Sequence, residues 1–345
     1  MAKKTLKIAD KATLDEVREL LNSQNTINYL DFTLSDSETA VGDSDSMSTL
    51  PFNFYNGIAL MLNNGYLNIL YRTNHYKWDG SSWTQVSTIP YNFYQGSAVV
   101  LNNQIHILGG SVSGSQLAHY KWDGSSWTEV STLPYNFYCG SAVIYNNEIH
   151  IFGTTNNSNY YTAHYKWDGI SWTKVSTLPY DFYQGSAVVL NNQIHILGGS
   201  RGNKKHYKWN GDRWIKVSIL PYNFYQGSAV VLNNQIHILG GSGNNSAHYS
   251  YNGSGWSSFT SLPYNFKCGS SVIYGNKIHI LGSNVSLSET KHYRTYEYRY
   301  RNLTNDGERP YMFAGDKLYS KCAIYPVENC KIDDGYISCH RGWIY

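Results

Sequence analysis

Hydrophobic and polar positions alternate with a period of two in short runs, and the runs recur in a fixed order. GSAVVLN (96–102), QIHILGG (104–110), AHYKWDG (118–124) and SWTEVSTLP (126–134) follow one another, separated by turn residues and one variable insert. The first run is apolar enough for a strand buried near an axis. In the second, Ile105 and Ile107 alternate with His106. The third ends in Asp-Gly, which suits a tight hairpin into the fourth. Each unit is therefore predicted to be one sheet of four antiparallel strands.

Near-copies of this unit occur six times, opened by Pro51, Pro90, Pro134, Pro179, Pro221 and Pro263 at spacings of 39, 44, 45, 42 and 42 residues. A period of this size with strand-like runs inside it marks a radially repeated β architecture rather than a helical solenoid. Such a ring must tie its first unit to its last or leave open edges. Ser46 to Pro51 repeats the VSTLP end of the outer strands, yet no three strands precede it. It is expected to supply the outer strand of the sixth unit, beside a strand containing His292 to Tyr298. Six blades follow, with seven as the alternative.

Residues outside the repeat divide the chain into three parts: 1–43, 44–300 and 301–345. Thr13 and Glu16 form a capping box, and Leu14, Val17, Leu20 and Leu21 share a helical face, which predicts a short helix over 13–22. Alone it is too short to be stable, so its apolar stripe needs a partner. The polar stretch after it reads as a linker. Residues 301–345, with LYSKCAIYPV and a turn around Asp333-Asp334-Gly335, read as a small β-rich extension.

The runs also carry a resemblance. Four apolar residues, a glycine pair (Gly109 and Gly110, Gly198 and Gly199, Gly240 and Gly241), then Tyr and Trp seven apart resemble the kelch repeat. The Tyr and Trp pairs are 76 and 83, 120 and 127, 165 and 172, 207 and 214, and 249 and 256. The likeness spans about residues 44 to 300 and implies an all-β, six-bladed kelch-type β-propeller, with the N-terminal helix and the C-terminal β extension outside it. Repeat one departs, with Leu70 and Tyr71 read at the glycine pair. Repeats three and six keep only Gly153 and Gly282, and repeat six has Tyr300 in place of Trp.

Charge changes the picture little. Only 15% of residues are charged and the net charge is +3, so no basic face suited to nucleic acid stands out. No run approaches membrane-spanning length, so no membrane insertion is expected. The N-terminus lacks the apolar core of a secretory signal, which predicts synthesis in the cytoplasm with reduced thiols. Of the five cysteines, Cys139 and Cys268 occupy the position held elsewhere by Gln95, Gln184 and Gln226. In a six-fold ring repeats three and six face each other across the axis, so these two should not bond. Cys322, Cys330, Cys339 and His340 lack the tight ligand pairs of a zinc knuckle. No metal or cofactor is expected.

Catalytic chemistry finds little support. Eleven of the 12 histidines occupy two repeated positions, where equal packing in every blade accounts for them. Glycoside hydrolysis needs two acids at one pocket. Asp79, Asp123 and Asp168 sit in the hairpin turns, and Glu129, Glu148, Asp181 and Asp212 are unpaired between repeats. The chain is read as a binding protein, not an enzyme.

The loop before each inner strand is the candidate site. In kelch proteins this loop and the one after the glycine pair line one mouth of the central channel. Here it offers Tyr91, Asn92, Phe93 and Tyr94; Tyr135, Asn136 and Tyr138; Tyr180, Asp181 and Tyr183; and Tyr222, Asn223 and Tyr225. Aromatic faces beside amides suit sugar rings, which stack on one and hydrogen-bond to the other. At least one aromatic of each loop is expected in the core. The inserts at 111–117, 154–162, 200–205 and 242–246 vary most, as specificity loops do. Finally, IADKATLDEV near the N-terminus resembles a segment at the start of tail-associated structural proteins of phages and prophages of Gram-positive bacteria. This implies a virion or tailocin component that recognises a cell-surface carbohydrate or receptor. It would join other tail proteins through residues 1–30 and could assemble as a homo-oligomer. The alternatives are an intracellular kelch scaffold for a protein partner and a carbohydrate-active propeller enzyme.

Overall fold

The computed structural model describes residues 47–110, 116–154, 161–199, 203–259, 261–285 and 290–294 in full. It also describes the backbone of short strands within 33–34 and 295–344. The helix expected over 13–22 lies outside the described residues, as do most of the inserts at 111–117 and 154–162 and half of that at 200–205.

Residues 47–294 form one unit of six small antiparallel sheets. The second blade shows the plan: Ser97–Leu101, Gln104–Leu108, Ala118–Trp122 and Trp127–Thr132 pair in sequence order. The inner hairpin turns on Asn102 and Asn103, both at positive φ (50° and 60°), a conformation asparagine tolerates better than most residues. In the outer hairpin Asp123 Oδ1 accepts the amides of Ser125 and Ser126 at 2.8 Å. Those bonds hold the carboxyl down at about 2. The hairpin aspartates are thus used by their turns.

The first blade departs from this plan. Leu67–Trp78 pairs with Ile58–Met61 along its first half and with Trp83–Phe93 along its second. It doubles back within itself, because His75 Nε2 lies 3.0 Å from Asn68 Oδ1 and Arg72 has a φ of 53°. The blade therefore has four strand segments like the others. The register opposes Ile58 to Leu70, as it opposes Ser97 to Leu108. Tyr71 and Arg72, not Leu70 and Tyr71, thus stand where the other blades carry the glycine pair.

Three rings of contacts join neighbouring blades. Fully buried Phe54, Phe93, Phe137, Phe182, Phe224 and Phe266 repeat once per blade. Isoleucines of the second strands, among them Ile105, Ile107, Ile149 and Ile151, pack against the preceding blade. The third contact was not foreseen. His106 Nδ1 lies 2.9 Å from His119 Nε2, His119 Nδ1 lies 2.8 Å from Ser131 Oγ, and Trp172 of the next blade donates Nε1–H to that hydroxyl at 3.1 Å. The same chain runs through His150, His164, Ser176 and Trp214, and through His195, His206, Ser218 and Trp256. In the first blade Asn68 takes the place of the first histidine, ahead of His75, Ser87 and Trp127. The repeated histidines are structural hydrogen-bonding groups, each bonded to a buried neighbour on the adjacent strand.

The sixth blade consists of Ser270–Tyr274, Lys277–Leu281 and the strand that starts at His292. Its outer position is taken by residues 47–50. Leu50 N–H donates to Thr290 O at 3.0 Å, as Leu133 donates to Leu117 O and Leu178 to Thr162 O in their blades. Met47 and Leu50 are buried in a cluster with Val272 and Leu281. The closing piece comes from the expected segment, but it makes this contact without the regular ladder of a strand.

The remaining described strands form a second unit. Tyr311–Ala314, Lys317–Ser320 and Ala323–Pro326 make an antiparallel meander, and Cys330–Asp333 pairs with Tyr336–Ile344. This agrees with the β-rich extension expected after residue 300.

Candidate binding site at the mouth of the ring

Each opening loop enters its inner strand through a residue in the left-handed region: Asn56, Gln95, Cys139, Gln184, Gln226 and Cys268, with φ between 54° and 58°. This conformation turns both amide and carbonyl around the axis. Gln95 N–H donates to Asn56 O, Cys139 to Gln95, Gln184 to Cys139, Gln226 to Gln184, Cys268 to Gln226 and Asn56 to Cys268, at 2.5–3.0 Å. The six bonds form a closed circle. Serine hydroxyls of the inner strands add further links between blades, in which Ser270 Oγ accepts Ala59 N–H and Ser97 Oγ accepts Ala142 N–H, at 2.9 and 3.1 Å.

The circle frames an axial cavity of about 120 Å³, lined by the six side chains and the glycines that follow them. Its wall is uncharged: four amides, two thiols and backbone. Cys139 and Cys268, in the third and sixth blades, are buried and form no disulfide, as their places on opposite sides required. Burial pushes the Cys268 thiol up to about 11, so it is a poor nucleophile at neutral pH.

Within the loops the thirteen candidates separate into three groups. The first tyrosine of each loop is a wedge. Tyr135, Tyr180 and Tyr222 are no more than 8% exposed and Tyr91 is half-buried. Their hydroxyls donate to the carbonyls of Gly153, Gly198, Gly240 and Gly109 at 2.7–3.2 Å. Burial raises the pKa of each. Phe93 is wholly buried, as are its equivalents. These five residues cannot offer a face to a ligand, and their candidacy is withdrawn. Asn92, Asn136, Asp181 and Asn223 are exposed. Tyr94, Tyr138, Tyr183 and Tyr225 are half-buried, each directly before a residue of the hydrogen-bonded circle. Asn56 Nδ2 donates to Tyr94 Oη at 2.9 Å, which places that hydroxyl at the mouth.

Tyr55 completes the rim in the first blade and was missed because its loop reads FNFYN rather than YNFYQ. It meets Tyr94 edge-on, with ring centroids 6.0 Å apart. Tyr71, in the position of Gly109, packs 5.5 Å from Tyr55 and 6.3 Å from Tyr94. The sixth loop carries Lys267 where the others carry the rim tyrosine.

Among solved structures, that of YjhT superposes with a TM-score of 0.63. The match covers 72% of this chain and 96% of that one at 14% identity. The chain is a six-bladed β-propeller. At that identity the likeness speaks of the fold alone. No family model matches the sequence, and no curated protein matches it.

For an enzyme the acids should converge. Asp181 lies at the mouth, whereas Glu148 starts the second strand of the third blade at the opposite end, where it pairs with Lys166 at 2.9 Å. Among the described residues no group of three or more His, Cys, Asp or Glu could hold a metal ion. Also among them, no helix is long and apolar enough to cross a membrane.

Proposed function

We propose that this propeller is a non-enzymatic binding protein of a phage tail or tailocin-like particle, which recognises host surface glycan at the mouth of its ring. The rim carries the reading. Half-buried tyrosines repeat around an uncharged cavity wall of amides and carbonyls, with exposed asparagines outside them. A sugar needs such alternation, because its C–H face stacks on an aromatic ring while its hydroxyls seek donors and acceptors. The kelch likeness of residues 44–300 supports the use of this mouth. The likeness of IADKATLDEV to tail-associated proteins supports the particle and an attachment role for residues 1–30. Several copies on one particle would make weak single sites sufficient.

The test is an array of immobilised bacterial surface polysaccharides probed with the purified protein. Binding to at least one glycan, competed by its soluble fragment, is the expected result. Failure to bind any of them, with the protein folded, rejects the reading. The particle claim is tested separately, by deleting residues 1–30 and asking whether particles still incorporate the protein.

A further inference from the structure

Five of the six blades present the same rim, and the exception lies at the junction of the sixth and first. Three charged residues depart from the repeat on or beside the opening loops, and two lysines of the fourth blade stand near them. Lys205 Nζ lies 4.6 Å from the centroid of the Tyr180 ring, and Lys204 Nζ donates to Pro221 O at 3.4 Å. Lys267 replaces the rim tyrosine of the sixth loop, next to Cys268 of the circle, and its charge bears on that thiol. Arg72 occupies the place of the second glycine in the first blade, with its guanidinium 5.3 Å from the centroid of the Tyr71 ring. Tyr71 and Tyr55 are its polar neighbours. Asp181 replaces the exposed asparagine in the fourth loop, which faces the first blade across a ring of six. Among the described residues neither Lys267 nor Arg72 has a carboxylate partner. The junction of the sixth and first blades thus carries two cations without a carboxylate partner among the described residues, whereas Asp181 on the far side has Lys205 beside its loop.

Folding does not call for this arrangement. The five other blades reach the same circle with Tyr at the position of Lys267, and the blades that keep the glycine pair need no side chain at the position of Arg72. Two cations on adjoining blades, neither with a carboxylate partner among the described residues, suit a ligand that brings its own negative charge.

We propose that the mouth takes an anionic sugar unit, with Arg72 and Lys267 holding its carboxylate or phosphate and Tyr55 and Tyr94 flanking its ring. The assignment rests on the glycan-binding reading above and adds the class of glycan. Arg72 suits this role because a guanidinium presents a planar fork of donors to an oxyanion, and its stacking on Tyr71 limits the freedom lost on binding. Asp181 opposite orients the unit by repelling its acid group.

The experiment compares three probes by titration against the full chain: a neutral oligoglucoside, an oligogalacturonate and a poly(glycerol phosphate). At low salt the wild type is expected to bind one or both anionic probes at least tenfold more tightly than the neutral one. The ratio should shrink as salt rises, since rim charges are screened. Lys267→Tyr, which installs the residue of the other loops, and Arg72→Gln should each reduce the ratio several-fold, and Asp181→Asn should increase it. If Arg72→Gln fails to fold, Lys267→Tyr and the salt titration of the wild type decide the matter. A preference for the galacturonate alone identifies a carboxylate ligand, and one for the glycerol phosphate alone a phosphate ligand. Equal affinity for neutral and anionic probes overturns this inference while leaving the glycan-binding reading intact. Binding of none of the three, alongside array binding of a neutral glycan, also overturns it.

Discussion

Asn56 donates its backbone N–H to the carbonyl of Cys268, and this bond links the loop of the first blade to that of the last. The bond alone adds little. It matters because it completes a circle whose other five members lie between consecutive blades, so the first and sixth sheets meet as any two neighbours do. The outer end of the same junction depends on residues 47–50. Leu50 is 4% exposed, within the cluster that joins those two blades. Leu50→Ala is expected to cost about 2–3 kcal/mol. A chain starting at residue 52 should melt well below one starting at residue 44. Equal urea midpoints for the two truncations would show that the ring closes without this segment.

The seam differs in one bond from the four junctions that link blades one to five. Trp127 Nε1 donates to Ser87 Oγ of the preceding blade at 2.9 Å. At the seam the equivalent atoms are Trp83 Nε1 and Ser48 Oγ, and both are buried without a hydrogen-bond partner. A lost hydrogen bond that strands its buried partner costs about 1–3 kcal/mol, whereas removing an already unpaired group costs little. A bulky aromatic that lacks only the N–H is not available, so Phe serves at both sites and the shared loss of volume cancels in the difference. Trp127→Phe should therefore destabilise by about 1 kcal/mol more than Trp83→Phe in chemical denaturation. Equal losses would contradict the seam's description.

The histidine pairs make stability depend on pH. Burial lowers His75, His106, His150 and His195 to about 4 and His119, His164, His206 and His292 to about 3. An unfolded chain takes up these protons near pH 6.5, well before the folded one does. Their contribution is therefore complete above pH 6.5 and is lost as pH falls through 6.5 toward 4. Urea midpoints should be flat from pH 8 to 7 and fall steeply below 6. A midpoint that holds to pH 4.5 would mean that the folded chain protonates these rings without penalty.

Gly198 combines a φ of 63° with a backbone carbonyl, that of Phe224 in the next blade, standing where a Cβ would project. Both the conformation and the space exclude a side chain. Gly198→Ala is expected to cost about 2 kcal/mol or more, whereas Gly124→Ala, where nothing lies within 4 Å, should cost only the strain of its positive φ. Thermal melting of the two variants checks the order.

The architecture could be read from the chain because each blade repeats the same alternation at nearly constant spacing, and the copy of VSTLP near Leu50 betrayed the closing piece. The mouth was harder to read. Tyr91 and Tyr94 are the same residue type three positions apart, and only the direction of the backbone between them sends one under the Gly109 carbonyl and the other to the rim. Gln95 and Cys139 gave no sign of a left-handed conformation, which glycine or asparagine would have announced. The histidines were visible as a repeat, but their contact is across strands, and Asn68 hid the sixth pair by substituting for one member. Tyr71 and Arg72 were displaced by one position because the first blade lacks the glycines that fix the alignment.

The most direct test of the account is titration calorimetry of the array-selected glycan against the wild type and against a chain carrying Tyr94→Ala, Tyr138→Ala, Tyr183→Ala and Tyr225→Ala. These side chains lie on the rim outside the buried wedge, although Tyr94 also packs against the first blade's core, so the variant should fold with a lowered melting temperature. Stacking worth about 1 kcal/mol per ring predicts at least a tenfold loss of affinity. Unchanged affinity in a folded variant would contradict the claim that this mouth is where the protein reads its host.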